Sequence, residues 1–223
     1  MPHKGIRIAA AGAVVAVAGT ALATVAASGT ASAQEPGYES TTVYADVDGD
    51  GKPNAVTVNE VSPNRQALIF AFAEDALDVS FEADTAPPLQ PPRVVDVDAD
   101  GRDEVVVAKV VGANTLTFTV WKFDQVRGIV PLTTNAGGPF DVFEGGGIAA
   151  VSGYTCATDH DGRQFVTVNA HLVGPPSGNP RYDGERTSYK VTGNSVTVQS
   201  VTPIRQAGRD DPLLVADPAT CAS

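Results

Sequence analysis

The sequence predicts an all-β protein of antiparallel sheets, arranged as propeller-blade-like repeats or as an open β-sandwich or partial propeller. Short β-branched runs follow one another at even spacing and are separated by Gly and Pro residues. Several runs alternate polar and apolar residues with a period of two, as in Thr115–Phe123, which is typical of half-buried antiparallel strands. No window carries a convincing amphipathic helix, and evenly spaced strands without helices favour a sandwich, barrel or propeller-like arrangement.

The first residues have the three parts of a secretory signal. The basic residues Lys4 and Arg7 precede an apolar run of small residues from Ile8 to Ala27, and Ala31-Ser32-Ala33 offers a cleavage site. A membrane anchor is the alternative, because this run is long enough to span a bilayer. It has few strongly apolar residues, however, and a cleavage site stands where an anchor needs flanking charge. We therefore expect removal of residues 1–33, a secreted extracellular protein and no membrane insertion after cleavage.

An all-β domain is expected over residues 42–205, after a polar lead-in at 34–41 and before a tail at 206–223. Within the domain we expect repeats near 42–91 and 92–150 and a degenerate one from 151. Val173–Asp183 is predicted to be a surface loop. Strands are predicted at Thr42–Ala45, Ala55–Val61, Gln66–Phe72, Leu77–Phe81, Arg93–Val95, Glu104–Val111, Thr115–Phe123, Arg127–Leu132, Ser152–Ala157, Gln164–Val173, Glu185–Val191 and Ser195–Thr202.

Charge and cysteine content restrict the partners and the compartment. The formal net charge is −11, and removal of Lys4 and Arg7 with the signal makes it −13. A chain with this negative charge repels nucleic acid and anionic membrane surfaces. Neither is therefore an expected partner.

Cys156 and Cys221 are the two cysteines of the chain. In an exported protein they are expected to form a disulfide that ties the tail to the domain.

An internal repeat with an offset of 50 residues carries the chemically specific feature of the sequence. The segment from Asp46 to Asn54, followed by a β-branched run, matches the segment from Asp96 to Glu104. A decayed third copy is visible at Asp159-His160-Asp161-Gly162-Arg163. We expect that copy to be a turn that keeps the backbone shape but holds no ion.

Three carboxylates in the first loop, those of Asp46, Asp48 and Asp50, are spaced to converge on one point. Gly51 follows them and lets the backbone turn sharply, because glycine tolerates a positive φ. Carboxylates held so close repel one another, and a divalent cation with oxygen ligands removes that conflict. The predicted ligands, with Lys52 acting through its backbone carbonyl, are Asp46, Asp48, Asp50, Lys52 and Asn54.

The second loop predicts the corresponding ligand set, with Arg102 acting through its backbone carbonyl. Glu104 supplies a full charge where Asn54 supplies a neutral oxygen, so we expect the second site to bind more tightly. The predicted ligands are Asp96, Asp98, Asp100, Arg102 and Glu104. Calcium is favoured over magnesium, which demands tighter octahedral geometry. Acidic Asp-Gly turns that form without a metal are the alternative.

The loops are not EF-hands, because position 12 of the first loop is Thr57 and a strand follows instead of a helix. The pattern D-V-D-x-D-G-x-x-[N/E] before a β-branched run resembles the FG-GAP or VCBS-type repeat. That resemblance implies a β-propeller-like scaffold in which the acidic loops bind calcium. Two or three repeats cannot close a propeller ring alone, since the smallest propellers have four blades.

The sequence favours a calcium-stabilised β module that binds an extracellular protein or glycan, and it predicts no catalytic residues. An extracellular hydrolase is one alternative, but neither a G-x-S-x-G nor an H-E-x-x-H motif accompanies His160 and His171. Calcium-dependent glycan binding is the other. Such sites usually add aromatic platforms, and the single tryptophan, Trp121, is as compatible with the core as with a ligand contact.

Overall fold

The computed structural model describes residues 38–85, 88–160, 162–176 and 178–223. The expected signal segment and the first part of the lead-in therefore lie outside the described residues. Within these ranges there are fourteen strands, β1 to β14, at Ser40–Ala45, Asn54–Ser62, Arg65–Ala71, Ala76–Glu82, Arg93–Val95, Glu104–Val111, Thr115–Asp124, Gly128–Pro131, Thr133–Thr134, Asp141–Gly145, Ala150–Asp159, Gly162–Val173, Arg181–Thr192 and Ser195–Gly208. Two 3-10 turns follow, at Pro212–Leu214 and Pro218–Cys221. Among the described residues no helix is long and apolar enough to cross a membrane.

The first four strands form an antiparallel sheet in sequential order. Ala45 of β1 lies opposite Asn54 of β2, and Ala55 of β2 lies opposite Ala71 of β3. Val56 and Val58 are fully buried whereas the residues between and beside them are partly exposed. The period-two pattern therefore directs one face of this sheet into a core.

The other ten strands form a second sheet in the order β5-β6-β7-β10-β11-β12-β13-β14-β9, with β8 paired to β7. Its neighbours are antiparallel except for β9, which lies parallel to β14. The chain passes from β8 beside β7 to β9 beside β14 within a few residues, so the sheet curls towards itself without closing into a barrel. The all-β prediction of antiparallel sheets is confirmed.

Strand β6 is buried on both faces and separates two apolar clusters. Val105 and Val107 point into the cluster shared with the first sheet, whereas Val106 and Ala108 point into the second cluster. Across the apolar cluster shared with the first sheet, the ring centroids of Phe81 and Trp121 are 5.2 Å apart, and those of Phe72 and Phe123 are 4.9 Å apart. Other members of the first cluster are Ala45, Val47, Val56, Val58, Leu68, Phe70 and Ile129. The two repeat units are thus packed face to face through apolar side chains.

A disulfide joins Cys156 in β11 to Cys221 in the second 3-10 turn, as predicted. The hydroxyl of Thr220 also accepts a hydrogen bond from the backbone N–H of Cys156 at 2.8 Å. Arg163 donates to the Thr220 carbonyl oxygen at 2.8 Å. Strand β14 extends to Gly208, so the C-terminal tail begins at Arg209 rather than at residue 206.

Two details differ from the sequence-based expectations. Strands β9 and β10 were not predicted, because both lie among the Gly- and Pro-rich segments around Gly137 and Gly145. At the decayed third copy, Asp159 of β11 pairs with Gly162 of β12, so this connection is shorter than either acidic loop; Asp161 lies outside the described residues.

Candidate metal centre

The two acidic loops occupy equivalent places in their sheets. The first loop, Asp46–Pro53, connects the paired residues Ala45 and Asn54. The second loop, Asp96–Asp103, connects the paired residues Val95 and Glu104. Each is therefore the connection of an antiparallel strand pair, which brings its two ends close together.

The backbones of the two loops also match at the fourth and sixth positions. Gly49 and Gly51 have φ values of 76° and 81°, and their counterparts Ala99 and Gly101 have 57° and 80°. Position 6 was expected to need glycine. The positive φ at position 4 was not expected, because the second loop has alanine there and the two sequences therefore share no glycine at this position.

In the first loop, Asp46 organises the backbone around its carboxylate. Its Oδ1 accepts hydrogen bonds from the N–H groups of Gly49 at 2.9 Å and Asp50 at 3.1 Å, and its Oδ2 accepts from Gly51 at 2.9 Å. Carboxylate oxygens of Asp46, Asp48 and Asp50 lie within 4.8 Å of one another. An ionised carboxylate has about four acceptor positions, so Asp46 still has one to offer a cation.

The remaining predicted ligands of the first loop are placed less uniformly. Asn54 Oδ1 accepts the Val47 N–H at 3.3 Å, which directs this side chain towards the loop. Asp50 is exposed, accepts the Lys52 N–H at 2.8 Å and forms an ion pair with Lys52 Nζ at 3.2 Å. The hydrogen bonds from Lys52 lower the pKa of Asp50, so this carboxyl is ionised and available as an oxygen ligand.

The second loop brings together a different set of carboxylates. Oxygens of Asp96, Asp98 and Glu104 lie within 4.8 Å of one another, whereas exposed Asp100 is outside this group. Glu104 is fully buried, and its Oε2 accepts the Val97 N–H at 2.9 Å, as Asn54 does for Val47 in the first loop. The ninth position thus has the same backbone role in both loops.

Lys122, a residue that the sequence analysis did not single out, projects from β7 into the second acidic cluster. Its Nζ lies 2.9 Å from Glu104 Oε1, 3.5 Å from Asp98 Oδ2 and 3.8 Å from Asp100 Oδ2. The lysine side chain is buried. An available signal was its position in the apolar stretch Val120–Phe123, where a lysine interrupts the core pattern.

Burial and charge together set the ionisation of this cluster. Burial raises the pKa of Glu104 to about 7, although the Lys122 ammonium opposes the shift. Burial likewise raises the pKa of Asp98, against the same opposing charge. For Lys122, burial lowers the pKa, but Glu104, Asp98 and Asp100 outweigh it and the net shift is upward. The lysine therefore keeps its positive charge within the cluster.

The first residue of each acidic loop forms backbone hydrogen bonds to a distant part of the chain. The Asp46 N–H donates to Asp103 Oδ2 at 2.6 Å, and the Asp103 N–H donates to the Asp46 carbonyl oxygen at 2.8 Å. In the second loop, the Asp96 N–H donates instead to the carbonyl oxygen of Cys221 at 2.9 Å. The first loop is thus hydrogen-bonded to the second loop, and the second loop is hydrogen-bonded to the disulfide-bonded tail.

Residues considered for other activities do not assemble into a site. His160 lies at the β11–β12 turn and His171 near the opposite end of β12, where it pairs with Ala150. Trp121 is 5% exposed and belongs to the core between the two sheets. A cleft of about 600 Å³ beside β3, β4 and β6 is lined by residues that include Arg65 and Lys109, and neither histidine is among them.

The fold and the site define an all-β, disulfide-bonded protein with two carboxylate clusters that could each hold a metal ion. Comparison with protein-family models, with curated proteins and with solved structures gives no significant match to this chain.

Proposed function

We propose that this chain is a secreted, calcium-stabilised β-repeat module that acts as a binding or structural unit outside the cell. The observation that carries the proposal is the convergence of the Asp46, Asp48 and Asp50 carboxylates within 4.8 Å on one strand-connecting loop. Three like charges so close together destabilise the loop unless a cation lies between them. Calcium suits an all-oxygen site of flexible geometry, with six to eight ligands that include backbone carbonyls and waters.

The ion's role in this proposal is structural. The first loop joins β1 to β2, and its first residue exchanges two hydrogen bonds with Asp103 of the second loop. A cation at the first loop therefore stabilises the corner at which the two repeat units meet. A binding surface elsewhere on the module would depend on the ion only through this stabilisation.

The extracellular setting is supported by the disulfide and by the acidic composition. Disulfides persist in oxidising compartments, where calcium is abundant enough for sites with dissociation constants on the order of 10⁻⁴ to 10⁻³ M. The expected partner is an extracellular protein or glycan, because the net negative charge disfavours nucleic acid and anionic membranes.

Thermal unfolding of the chain from Gln34 onwards, with calcium and with a chelator, tests the proposal. At roughly 5 mM calcium and the affinities above, the ion should stabilise the fold by about 1–2 kcal/mol, a rise of roughly 2–8 °C in Tm. Asp48→Asn should remove most of this rise, because it takes one charge from the cluster. The matched control is Asp210→Asn, at an exposed aspartate of the tail, which should respond as the unmodified protein does. A Tm that is the same with calcium and with chelator would refute the proposal.

A further inference from the structure

Building on the proposed calcium site, we infer that Lys122 is the built-in cation of the second loop. On this view the ammonium replaces a metal ion there, and the chain binds calcium at the first loop alone. The inference reverses the expectation that Glu104 makes the second site the tighter one. It concerns the second loop, whose occupancy the proposed function leaves open.

The position of the ammonium supports this inference. Lys122 Nζ lies 2.9 Å from Oε1 of Glu104 and forms an ion pair with it. It is also 3.5 Å from Asp98 Oδ2. Glu104 and Asp98 belong to the cluster that could hold a metal, so the lysine neutralises the charges on which a metal would depend.

The two repeat units differ in two coupled positions. With the offset of 50 residues, Glu104 corresponds to Asn54 and Lys122 corresponds to Phe72. The strand registers agree with this alignment, because Ala55 lies opposite Ala71 and Val105 lies opposite Trp121.

At these two aligned positions the second unit has one acid and one base where the first has neither. Phe72 instead packs against Phe123 in the interface between the units, with ring centroids 4.9 Å apart. The first acidic cluster therefore has no buried ammonium among the described residues, and its ion-pair partner Lys52, at 3.2 Å from Asp50, is 81% exposed. The exchange keeps the formal charge of the two sites equal. It also makes the second site independent of a metal.

Calcium bound in the second cluster would meet a positive charge a few ångströms away. Repulsion at that distance in a partly buried site weakens binding by a hundredfold or more. The lysine cannot withdraw easily, because its side chain is buried and its charge would then lose Glu104. One buried acceptor of the cluster, Asp96 Oδ1, has no hydrogen-bond partner among the described residues. A water molecule can satisfy that oxygen without repelling the ammonium.

Calcium stoichiometry, measured by isothermal titration and by native mass spectrometry, tests the inference. We expect the unmodified chain to bind one ion, to lose it with Asp48→Asn and to keep it with Asp98→Asn. Both substitutions preserve a side-chain oxygen for the neighbouring backbone N–H, so the two variants are matched. Lys122→Met should bind a second ion with an affinity at least a hundredfold above that of the second loop in the unmodified chain.

Two further variants keep the test decisive. Lys122→Met leaves buried carboxylates without compensation and could unfold, so Glu104→Asn with Lys122→Phe recreates the Asn54 and Phe72 pair of the first unit. This double variant should fold and bind two ions. Lys109→Met removes a lysine paired with Asp141 at 2.7 Å elsewhere in the sheet and should still bind one ion.

The outcomes separate the inference from the proposed function. Two ions of similar affinity in the unmodified chain would overturn the role of Lys122 while leaving calcium binding in place. Loss of the single ion with Asp98→Asn rather than with Asp48→Asn would likewise overturn the role of Lys122 and leave calcium binding in place. If neither the unmodified chain nor the double variant binds calcium, the calcium proposal and this inference both fail.

Discussion

Asp46 and Asp103 exchange two hydrogen bonds that join the two acidic loops. The Asp46 N–H donates to Asp103 Oδ2 at 2.6 Å, and the Asp103 N–H donates to the Asp46 carbonyl oxygen at 2.8 Å. Asp103 is buried, so the first of these bonds is shielded from water. The start of the first loop is therefore fixed by a residue of the other repeat unit.

Asp103→Ala should consequently destabilise the protein by about 1–3 kcal/mol, because it leaves the Asp46 N–H without its acceptor. Asp103→Asn retains a side-chain oxygen and should cost about 1 kcal/mol or less. Urea-induced unfolding measures both effects, with Asp210→Ala as the control. Equal losses for Ala and Asn at position 103 would show that this hydrogen bond does not stabilise the loop.

The backbone at Ala99 offers a stabilising substitution. Ala99 has a φ of 57°, where a side chain is unfavourable, and its counterpart in the first loop is Gly49. Because Ala99 is exposed, its methyl group contributes little packing. Ala99→Gly should therefore raise the free energy of unfolding by about 0.5–1 kcal/mol, as measured in urea.

The reverse change in the first loop provides a matched comparison. Gly49→Ala should lose about 1–2 kcal/mol, since φ is 76° and the added Cβ would lie 2.9 Å from Arg102 Cγ. As a control, Ala76→Gly at an exposed position of β4 should destabilise the protein slightly. A loss of stability with Ala99→Gly would contradict the interpretation of the loop backbone.

Local sequence patterns predicted the local features of this protein well. Strand periodicity and the D-x-D-x-D-G spacing act within a few residues, so the strands and the Asp46 cluster could be read directly from the chain. Contacts across the fold could not be. Lys122 enters the second cluster from a neighbouring strand, and Cys221 reaches Asp96 from the tail. Aligning the repeats beyond the loops, so that Lys122 falls on Phe72, would have been the available clue.

Asp100 shows the limit of reasoning by analogy between the repeats. Its spacing matches that of Asp50, yet the structure places it outside the group formed by Asp96, Asp98 and Glu104. The Glu104 side chain is one methylene longer than that of Asn54, and its buried carboxylate forms an ion pair with Lys122. Identical spacing therefore produced two different clusters.

The disulfide should stabilise both the tail and the second loop. In the chain-entropy model, a bridge across a sequence separation of 65 residues contributes about 4 kcal/mol. Replacing both Cys156 and Cys221 by Ala should cost up to that amount in urea unfolding. Because the Cys221 carbonyl accepts the Asp96 N–H, that amide should also exchange its hydrogen faster in the variant. The Asp46 amide, held by Asp103, is the internal control and should be less affected.

A pH-dependent contribution is expected from the turn between β7 and β8. Hydrogen bonds from the Arg127 side chain and from the backbone N–H groups of Arg127 and Val126 lower the pKa of Asp124 to about 2. A lowered pKa means that this carboxylate stabilises the fold above its unfolded pKa of about 3.9, and that the contribution is lost as the pH falls towards 2.

Asp124→Asn should therefore lower Tm at neutral pH, and the difference from the unmodified protein should shrink between about pH 4 and pH 2. Thermal unfolding followed by circular dichroism at several pH values measures this. Asp210→Asn should show no such convergence. A Tm difference that stays constant down to pH 2 would exclude Asp124 as the titrating group.

The ion pair of Lys122 with Glu104 should appear as an energetic coupling in the absence of calcium. Lys122→Met should cost about 3 kcal/mol, because Glu104, whose pKa burial already raises to about 7, loses its counter-charge and must take up a proton. Glu104→Gln should cost less, since the ammonium keeps Asp98 and Asp100 as partners. The double variant should lose less than the sum of the two, with a coupling of about 1–3 kcal/mol.

A second cycle at Lys109 and Asp141 calibrates that coupling. This pair has a similarly short contact of 2.7 Å, but its side chains are 33% and 25% exposed. Solvent screens such a pair, so the coupling from Lys109→Met and Asp141→Asn should be about 1 kcal/mol or less. Both cycles are measured in chelator by urea unfolding. Equal coupling at the two pairs, or simple additivity at Lys122 and Glu104, would mean that the buried ammonium does not hold the second loop together.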